Sequence, residues 1–328
     1  MNGGFRPTGQ LFLQNVIAVI WDFDKTLTPG YMQAPIFKRF GVDGKKFWAE
    51  VNALPEEYRR RGAQRVSRDN VYLNHILTYV RAGIFNGLNN TLLRELGAEL
   101  ELYPGLPEFF KVLSGVATSD DNYRRHEISL EHYIVSTGLR AMIEGSAIQP
   151  FVDGIWACEF VEGAPAPGFM DEKQPLLPQG NSVITDIAYA IDNTSKTRAV
   201  FEINKGTNKQ PDIDVNATIT HPDRRVPFQN MIYVADGPSD VPVFSVVNQY
   251  GGRTFAVYRE GHEREFLQVS SLQEQGRVRS FGEAKYTSGS QTYMWLTTAV
   301  RQIANRIARD RDEAIGDKTG RPPQHIVS

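Results

Sequence analysis

Apolar residues in this chain come in two textures, short unbroken runs and spaced positions, and their order along the chain is informative. Val16-Ile17-Ala18-Val19-Ile20-Trp21 is an unbroken, largely β-branched run. It predicts a parallel strand covered on both faces, because a strand with one wet face would alternate with polar residues. Similar runs at residues 132–135, 154–160, 231–235 and 254–258 predict four more strands. Between them, residues 107–113, 139–143, 196–204 and 241–247 space their apolar positions in helical steps. Strands alternating with helices predict an α/β fold: a doubly wound, Rossmann-like parallel sheet with right-handed crossovers.

Residues 31–102 have a different texture. Lys, Arg, Glu and Leu dominate, and Val71, Leu73, Ile76, Leu77 and Val80 recur at three- and four-residue steps. This predicts a helical domain inserted between the first strand and the rest, so that residues 1–30 and 103–328 form the core. Tyr103-Pro104-Gly105 is the turn that leaves it. Residues 163–180 and 206–230, rich in proline, glycine and polar groups, predict loop insertions. A polar stretch follows residue 258, then a helix over 293–307 and a charged tail through Pro322-Pro323 that is expected to fray.

With 41% hydrophobic and 23% charged residues among 328, the chain has the composition of a folded protein, which removes disordered and collagen-like readings. A net charge of −2 offers no global field for nucleic acid or an anionic membrane, so neither is expected as a partner. The single cysteine, Cys158, excludes an intramolecular disulfide framework and suits a reducing compartment; a small buried apolar role is expected for it. Residues 11–21 resemble a signal-peptide core, but Gln14 and Asn15 interrupt them and no small-residue cleavage site follows. No apolar run approaches the roughly 20 residues that span a bilayer. The expected location is cytoplasmic, where the sequons at Asn89, Asn193 and Asn216 carry no meaning.

Asp22-Phe23-Asp24-Lys25-Thr26 follows the first strand directly. Ligands gather beyond the carboxyl ends of strands in open α/β sheets, and two carboxylates one residue apart there form an oxygen-lined corner that suits Mg²⁺. Asp236-Gly237-Pro238-Ser239-Asp240 supplies a second acidic corner after residues 231–235. After a third strand, Ser136-Thr137-Gly138 puts a hydroxyl and backbone N–H groups where an anion could sit. Lys196 opens a helix and adds a fixed positive charge.

In their order, these four elements resemble the signature motifs of the haloacid dehalogenase-like (HAD) superfamily of phosphohydrolases. Asp22 to Thr26 looks like its DxDx[TV] motif, Ser136 its second-motif hydroxyl, Lys196 its third-motif lysine and Asp236 to Asp240 its DGxxD motif. The resemblance covers about residues 16–258, and the helical insertion sits where phosphoserine phosphatase-like members carry a C1-type cap. It implies that Asp22 is the nucleophile and forms an aspartyl-phosphate, that Asp24 is general acid and then base, and that Ser136 and Lys196 grip phosphoryl oxygens. It further implies a Mg²⁺ site drawn from Asp22, Asp24, through its backbone carbonyl, and Asp236, with Asp240 orienting the ion's waters or pairing with Lys196. Thr26, Thr137, Gly138 and Arg140 complete the expected substrate contacts. Asp24 favours phosphoryl transfer to water over dehalogenation, which needs no acid at that place.

The implied activity is hydrolysis of a small phosphorylated metabolite, with phosphoserine-like monoesters as the nearest analogy. A phosphomutase and a non-catalytic binding protein of the same fold are the alternatives. Ala235 stands where relatives often carry glycine. Lys205 competes with Lys196 for the third motif but lies at the far end of the same helix. Arg59-Arg60-Arg61 is expected to be a solvated helix face, and Trp48, Phe109 and Phe110 are expected to be packing residues. His75 and His126 are expected to pack, and the arginines at 301, 306, 309 and 311 to lie on an exposed helix.

Overall fold

The structure is a computed structural model that describes residues 12–163, 165, 167–170, 182–210, 212–216, 219–220 and 223–319, with the backbone alone for 315–319. Within them one sheet contains β1 (Val16–Trp21), β2 (Ser129–Leu139), β3 (Gly154–Glu162), β4 (Ile184–Tyr189), β5 (Met231–Ala235), β6 (Arg253–Tyr258) and β7 (Ser280–Glu283). Their spatial order is β4-β3-β2-β1-β5-β6-β7. Every neighbouring pair is parallel except β3 with β4. The helices are α1 (Ala34–Phe40), α2 (Gly44–Arg60), α3 (Val71–Arg81), α4 (Asn90–Gly97), α5 (Glu108–Thr118), α6 (Asp121–Arg125), α7 (Arg140–Gly145), α8 (Lys196–Lys205), α9 (Val241–Gln249), α10 (Glu263–Glu274) and α11 (Gln291–Thr319). This is the doubly wound α/β architecture that the alternation predicts.

β1 is buried at every position, as its unbroken apolar run requires, and pairs with β2 on one side and β5 on the other. Phe110 of α5 packs on Trp21 at 5.2 Å, and Val300, Ile303 and Ala304 of α11 belong to the same core. Each such Phe, Val or Ile side chain contributes about 1.5–3 kcal/mol when fully buried. Trp21 Nε1 donates to His132 Nδ1 at 3.2 Å, while His132 Nε2 lies 3.1 Å from the Phe110 carbonyl. Those partners require a neutral ring with its proton on Nε2. Burial accordingly pushes the His132 imidazole down to about 3. The strand that leads to Asp22 is thus fixed by close packing and a buried hydrogen bond.

Four elements depart from expectation. β4 and β7 are edge strands; β4 buries only Ile184, and β7 is four residues long, so neither leaves an unbroken apolar run. α10 occupies the stretch read as merely polar and buries only Val269 and Leu272. β2 is longer than residues 132–135, and Ser136, Thr137 and Gly138 lie inside it rather than beyond it. Its pairing with β3 shifts register between Val135 and Leu139, which breaks the regular ladder at those residues. Much of the 163–180 insertion, part of the 206–230 loop and the tail from 320 lie outside the described residues.

The chain leaves the sheet after β1 through α1 to α4 and returns at α5. α3 buries Val71, Leu73, Ile76 and Leu77, as the periodicity predicts. α2 buries Phe47 and Val51 and exposes Arg59 and Arg60; their guanidinium groups and that of Arg61, just past the helix end, pair with Glu56 and Glu57. Among the described residues no helix is long and apolar enough to cross a membrane.

Candidate active site

Asp22 sits where β1 ends. Its N–H still donates to the Val234 carbonyl of β5 at 2.9 Å, and then the chain curls. Thr26 and Leu27 N–H groups donate to the Phe23 carbonyl at 3.2 and 2.8 Å, and Lys25 takes a φ of 59°. Phe23 and Leu27, both fully buried, anchor the curl. It presents Asp24 to the Met32 N–H, which donates to Asp24 Oδ1 at 3.0 Å.

The second acidic corner depends on Gly237. Its φ of 155° with ψ of −136° is backbone that a residue with a side chain adopts only under strain, and a Cβ there would also come within 3.0 Å of Gln268 Nε2. This turn holds Asp236 at the end of β5 and buries Asp240. Asp240 Oδ1 accepts from Lys196 Nζ at 2.7 Å and from the Tyr233 hydroxyl at 2.5 Å, and Oδ2 accepts from the Ser239 hydroxyl at 2.8 Å.

Lys196 is the first residue of α8. Asp192 shapes the turn before it by accepting from the Thr194 and Ser195 N–H groups at 3.0 and 2.6 Å. The Lys196 side chain is 2% exposed, with Nζ 2.8 Å from Asp22 Oδ1. Asp22, Asp236 and Asp240 each offer a carboxylate oxygen, and these atoms lie within 4.8 Å of one another. Lys205, at the other end of α8, instead donates to the Val215 carbonyl at 2.5 Å.

Crowding carboxylates in a buried space has an electrostatic consequence. Burial pushes Asp22 up to about 6 against the pull of Lys196, and pushes Asp236 up to about 7 with the help of Asp22 and Asp240. Asp24 rises well above the usual carboxylate range, first by burial and then by repulsion from Asp22. Burial would lower Lys196, but its two carboxylate partners outweigh that and raise it. The Lys196 ammonium is therefore permanent at neutral pH.

At the end of β2, Ser136 Oγ accepts from the Gly138 N–H at 3.0 Å. The Thr137 carbonyl accepts from the Tyr72 hydroxyl at 2.7 Å, which ties α3 to this strand end. Gly138 leaves room for Met32: a Cβ would stand 2.2 Å from its Cε. Met32 thus touches both Asp24 and the end of β2, a role that no sequence pattern marked because its donor is a backbone N–H. Tyr233 was equally hidden, as one aromatic residue in a buried strand.

Thr26 is taken up by the curl and Arg140 by neighbouring carboxylates. Thr26 is fully buried and its N–H is used within the curl, while its hydroxyl has no hydrogen-bond partner among the described residues. Arg140 is held by Glu144 at 2.8 Å and Glu159 at 3.0 Å, and lines a separate recess beside Asn90 and Leu93. Asp240, expected among the metal ligands, already has both oxygens in hydrogen bonds within the protein. From Asp24, Thr137 and Gly138 a cavity of about 740 Å³ extends toward α1, α2 and α3.

No family model matches the chain. A protein of Borreliella burgdorferi described as an uncharacterized protein is 37% identical over 286 residues, covering 86% of this chain and 96% of that protein. Solved structures of similar shape include a HAD family hydrolase of Salmonella enterica serovar Typhi, with 12% identity, 84% of this chain and 69% of that one covered, and a TM-score of 0.47. A phospho-aspartyl intermediate analogue of phosphoserine phosphatase has 14% identity, coverage of 81% and 93%, and a TM-score of 0.44. A haloacid dehalogenase-like family protein of Streptococcus pneumoniae has 14% identity, coverage of 81% and 93%, and a TM-score of 0.37. The sheet places Asp22 and Asp236 just past the carboxyl ends of β1 and β5, Ser136 within the last residues of β2, and Lys196 at the start of α8. The chain belongs to one family with the Borreliella burgdorferi protein.

Proposed function

We propose that the protein is a Mg²⁺-dependent phosphatase that hydrolyses a small phosphorylated metabolite through an aspartyl-phosphate on Asp22. The observation that carries this reading is the meeting of Asp22, Asp236, Asp240 and Lys196, drawn from β1, the turns after β5 and the start of α8. Three carboxyl groups face one ammonium in a buried place, an excess of acidic groups that a divalent cation offsets. Their donors are hard oxygens with no histidine or thiol among them, which fits Mg²⁺. Asp22, Asp236 and the Asp24 backbone carbonyl would hold the ion, while Asp240 serves to fix Lys196. When bound, the ion supplies charge neutralisation to the phosphoryl oxygens.

The carboxylates divide the chemistry by environment. Above about pH 6 Asp22 is an anion, and its free oxygen attacks phosphorus as the bond to the leaving oxygen breaks. Asp24, kept protonated by burial and by Asp22, gives its proton to that leaving oxygen. In the second half a water loses its proton to Asp24 and attacks phosphorus, which breaks the bond to Asp22 and releases phosphate. Lys196, Ser136 and the backbone N–H groups near Gly138 hold the phosphoryl oxygens through both halves. Residues 31–102 act as a helical cap over this end of the core formed by residues 1–30 and 103–328.

Phosphate release from an aryl phosphate, measured with Mg²⁺ and then with excess EDTA, tests the reading. Release that stops with EDTA and returns with Mg²⁺ is expected, and Asp22→Asn should lower it on the order of 10³-fold or more while the protein stays folded. Undiminished release by Asp22→Asn would remove Asp22 as nucleophile.

A further inference from the structure

The 740 Å³ cavity opening from Asp24 is far larger than a three-carbon leaving group needs and falls within the range that holds drug-sized ligands. Its wall is aromatic. Tyr31, Trp48 and Tyr72 line it in series, with ring centroids 5.3 Å apart between the first two and 5.8 Å between the last two. Tyr31 is 49% exposed, with Lys25 Nζ 4.6 Å from its ring centroid, and Trp48 is half-buried, with part of its ring packed against the core. The wall also contains Gln33, which is 2% exposed and whose side-chain carbonyl oxygen has no hydrogen-bond partner among the described residues. A buried acceptor left unpaired is unfavourable unless a ligand donates to it. Lys45, Arg68 and Asp69 also line the cavity.

Building on the phosphatase reading, we propose that this cavity holds the leaving group and that the substrate class is a phosphate monoester carrying a planar heteroaromatic ring. The ring packs against Trp48 and Tyr31, and one of its N–H groups donates to Gln33 once that side chain turns its oxygen toward the cavity. The phosphoryl group then lies at the Asp24 and Gly138 end, where the cavity meets the curl after β1. Trp48 acts in recognition as well as in packing α2 against its neighbours.

The test compares nucleoside 5′-monophosphates with ribose 5-phosphate, which shares the phosphate and sugar but lacks the ring. The ratio of kcat/KM values should favour the nucleotides by about 10-fold or more, the range of one base stacked on an aromatic side chain. Trp48→Leu should bring the ratio close to one, and Trp48→Phe should restore it. If Trp48→Leu does not fold, Tyr31→Ala at an exposed position should lower the same ratio. Kd values from calorimetry on the intact Mg²⁺-loaded protein supply the ratio independently of turnover. Phosphate release with no preference for the nucleotide overturns the inference and leaves the phosphatase standing. Trp48-dependent nucleotide binding without phosphate release does the reverse, and a protein that binds neither ester overturns the inference.

Discussion

Lys196 and the arginines of α2 use the same chemistry in opposite settings. Lys196 lies 2.8 Å from Asp22 and 2.7 Å from Asp240, while Arg59 lies 2.6 Å from Glu56 and Arg61 2.8 Å from Glu57. The distances match, but the Lys196 side chain is 2% exposed and that of Arg61 is 74% exposed. On α2, water stands ready to replace either partner, so forming the pair changes little. Around Lys196 no water replaces a lost partner, and the burial of each charge is sustained only by the others. The α2 pairs follow from three- and four-residue spacing on one helix, whereas the Lys196 pairs join positions 174 and 44 residues apart. An ion pair that the helix spacing produces by itself says little about function. One that the whole fold must assemble says much more.

The largest effect should come from Lys196→Met, which leaves Asp22 and Asp240 buried without their counter-charge. Chemical denaturation should show a loss of about 3–5 kcal/mol, together with loss of phosphate release. A midpoint within error of the unaltered protein would mean that this cluster is as solvated as the α2 face. His132 gives an intermediate case, a buried ring paired only with neutral groups. Its folded value of about 3 lies below the value near 6.5 in an unfolded chain, so only the unfolded chain gains a proton as pH falls through that window. Stability from this group is complete above pH 6.5 and declines by about 1.4 kcal/mol per pH unit toward pH 3. His132→Gln, which does not titrate, should flatten that part of the stability profile, and an unchanged slope would assign the acid sensitivity elsewhere. The smallest effect should come from Arg61→Ala, no more than about 0.5 kcal/mol and less in high salt. A larger loss that persists in salt would show that the α2 face does more than stay solvated.

The same contrast explains what could be read in advance. β1 was legible to the residue because burial on both faces leaves an unbroken apolar run, whereas β4, an edge strand with one buried residue, leaves none. Lys196 was separable from Lys205 because a helix start points its first side chain back toward the strand ends. Arg140 lies close to Ser136 in sequence. Nearness does not say which way α7 faces, and Glu144 one turn on and Glu159 of β3 take up the guanidinium. Met32 and Tyr233 serve the site through one backbone N–H and one hydroxyl on otherwise apolar residues, a contribution that depends on tertiary approach. The aromatic cavity was invisible for a related reason. Trp48 alone reads as packing, and only its alignment with Tyr31 and Tyr72 beside Asp24 makes a wall.

The central claim is that Asp22 becomes covalently phosphorylated. Borohydride added during turnover of an aryl phosphate with Mg²⁺ reduces an acyl phosphate to an alcohol, and peptide mass spectrometry locates the altered residue. The account predicts homoserine in place of Asp22 in the unaltered protein, and no such product when Mg²⁺ is withheld. Sustained phosphate release with Asp22 recovered intact, or with the modification on another carboxylate, would contradict it.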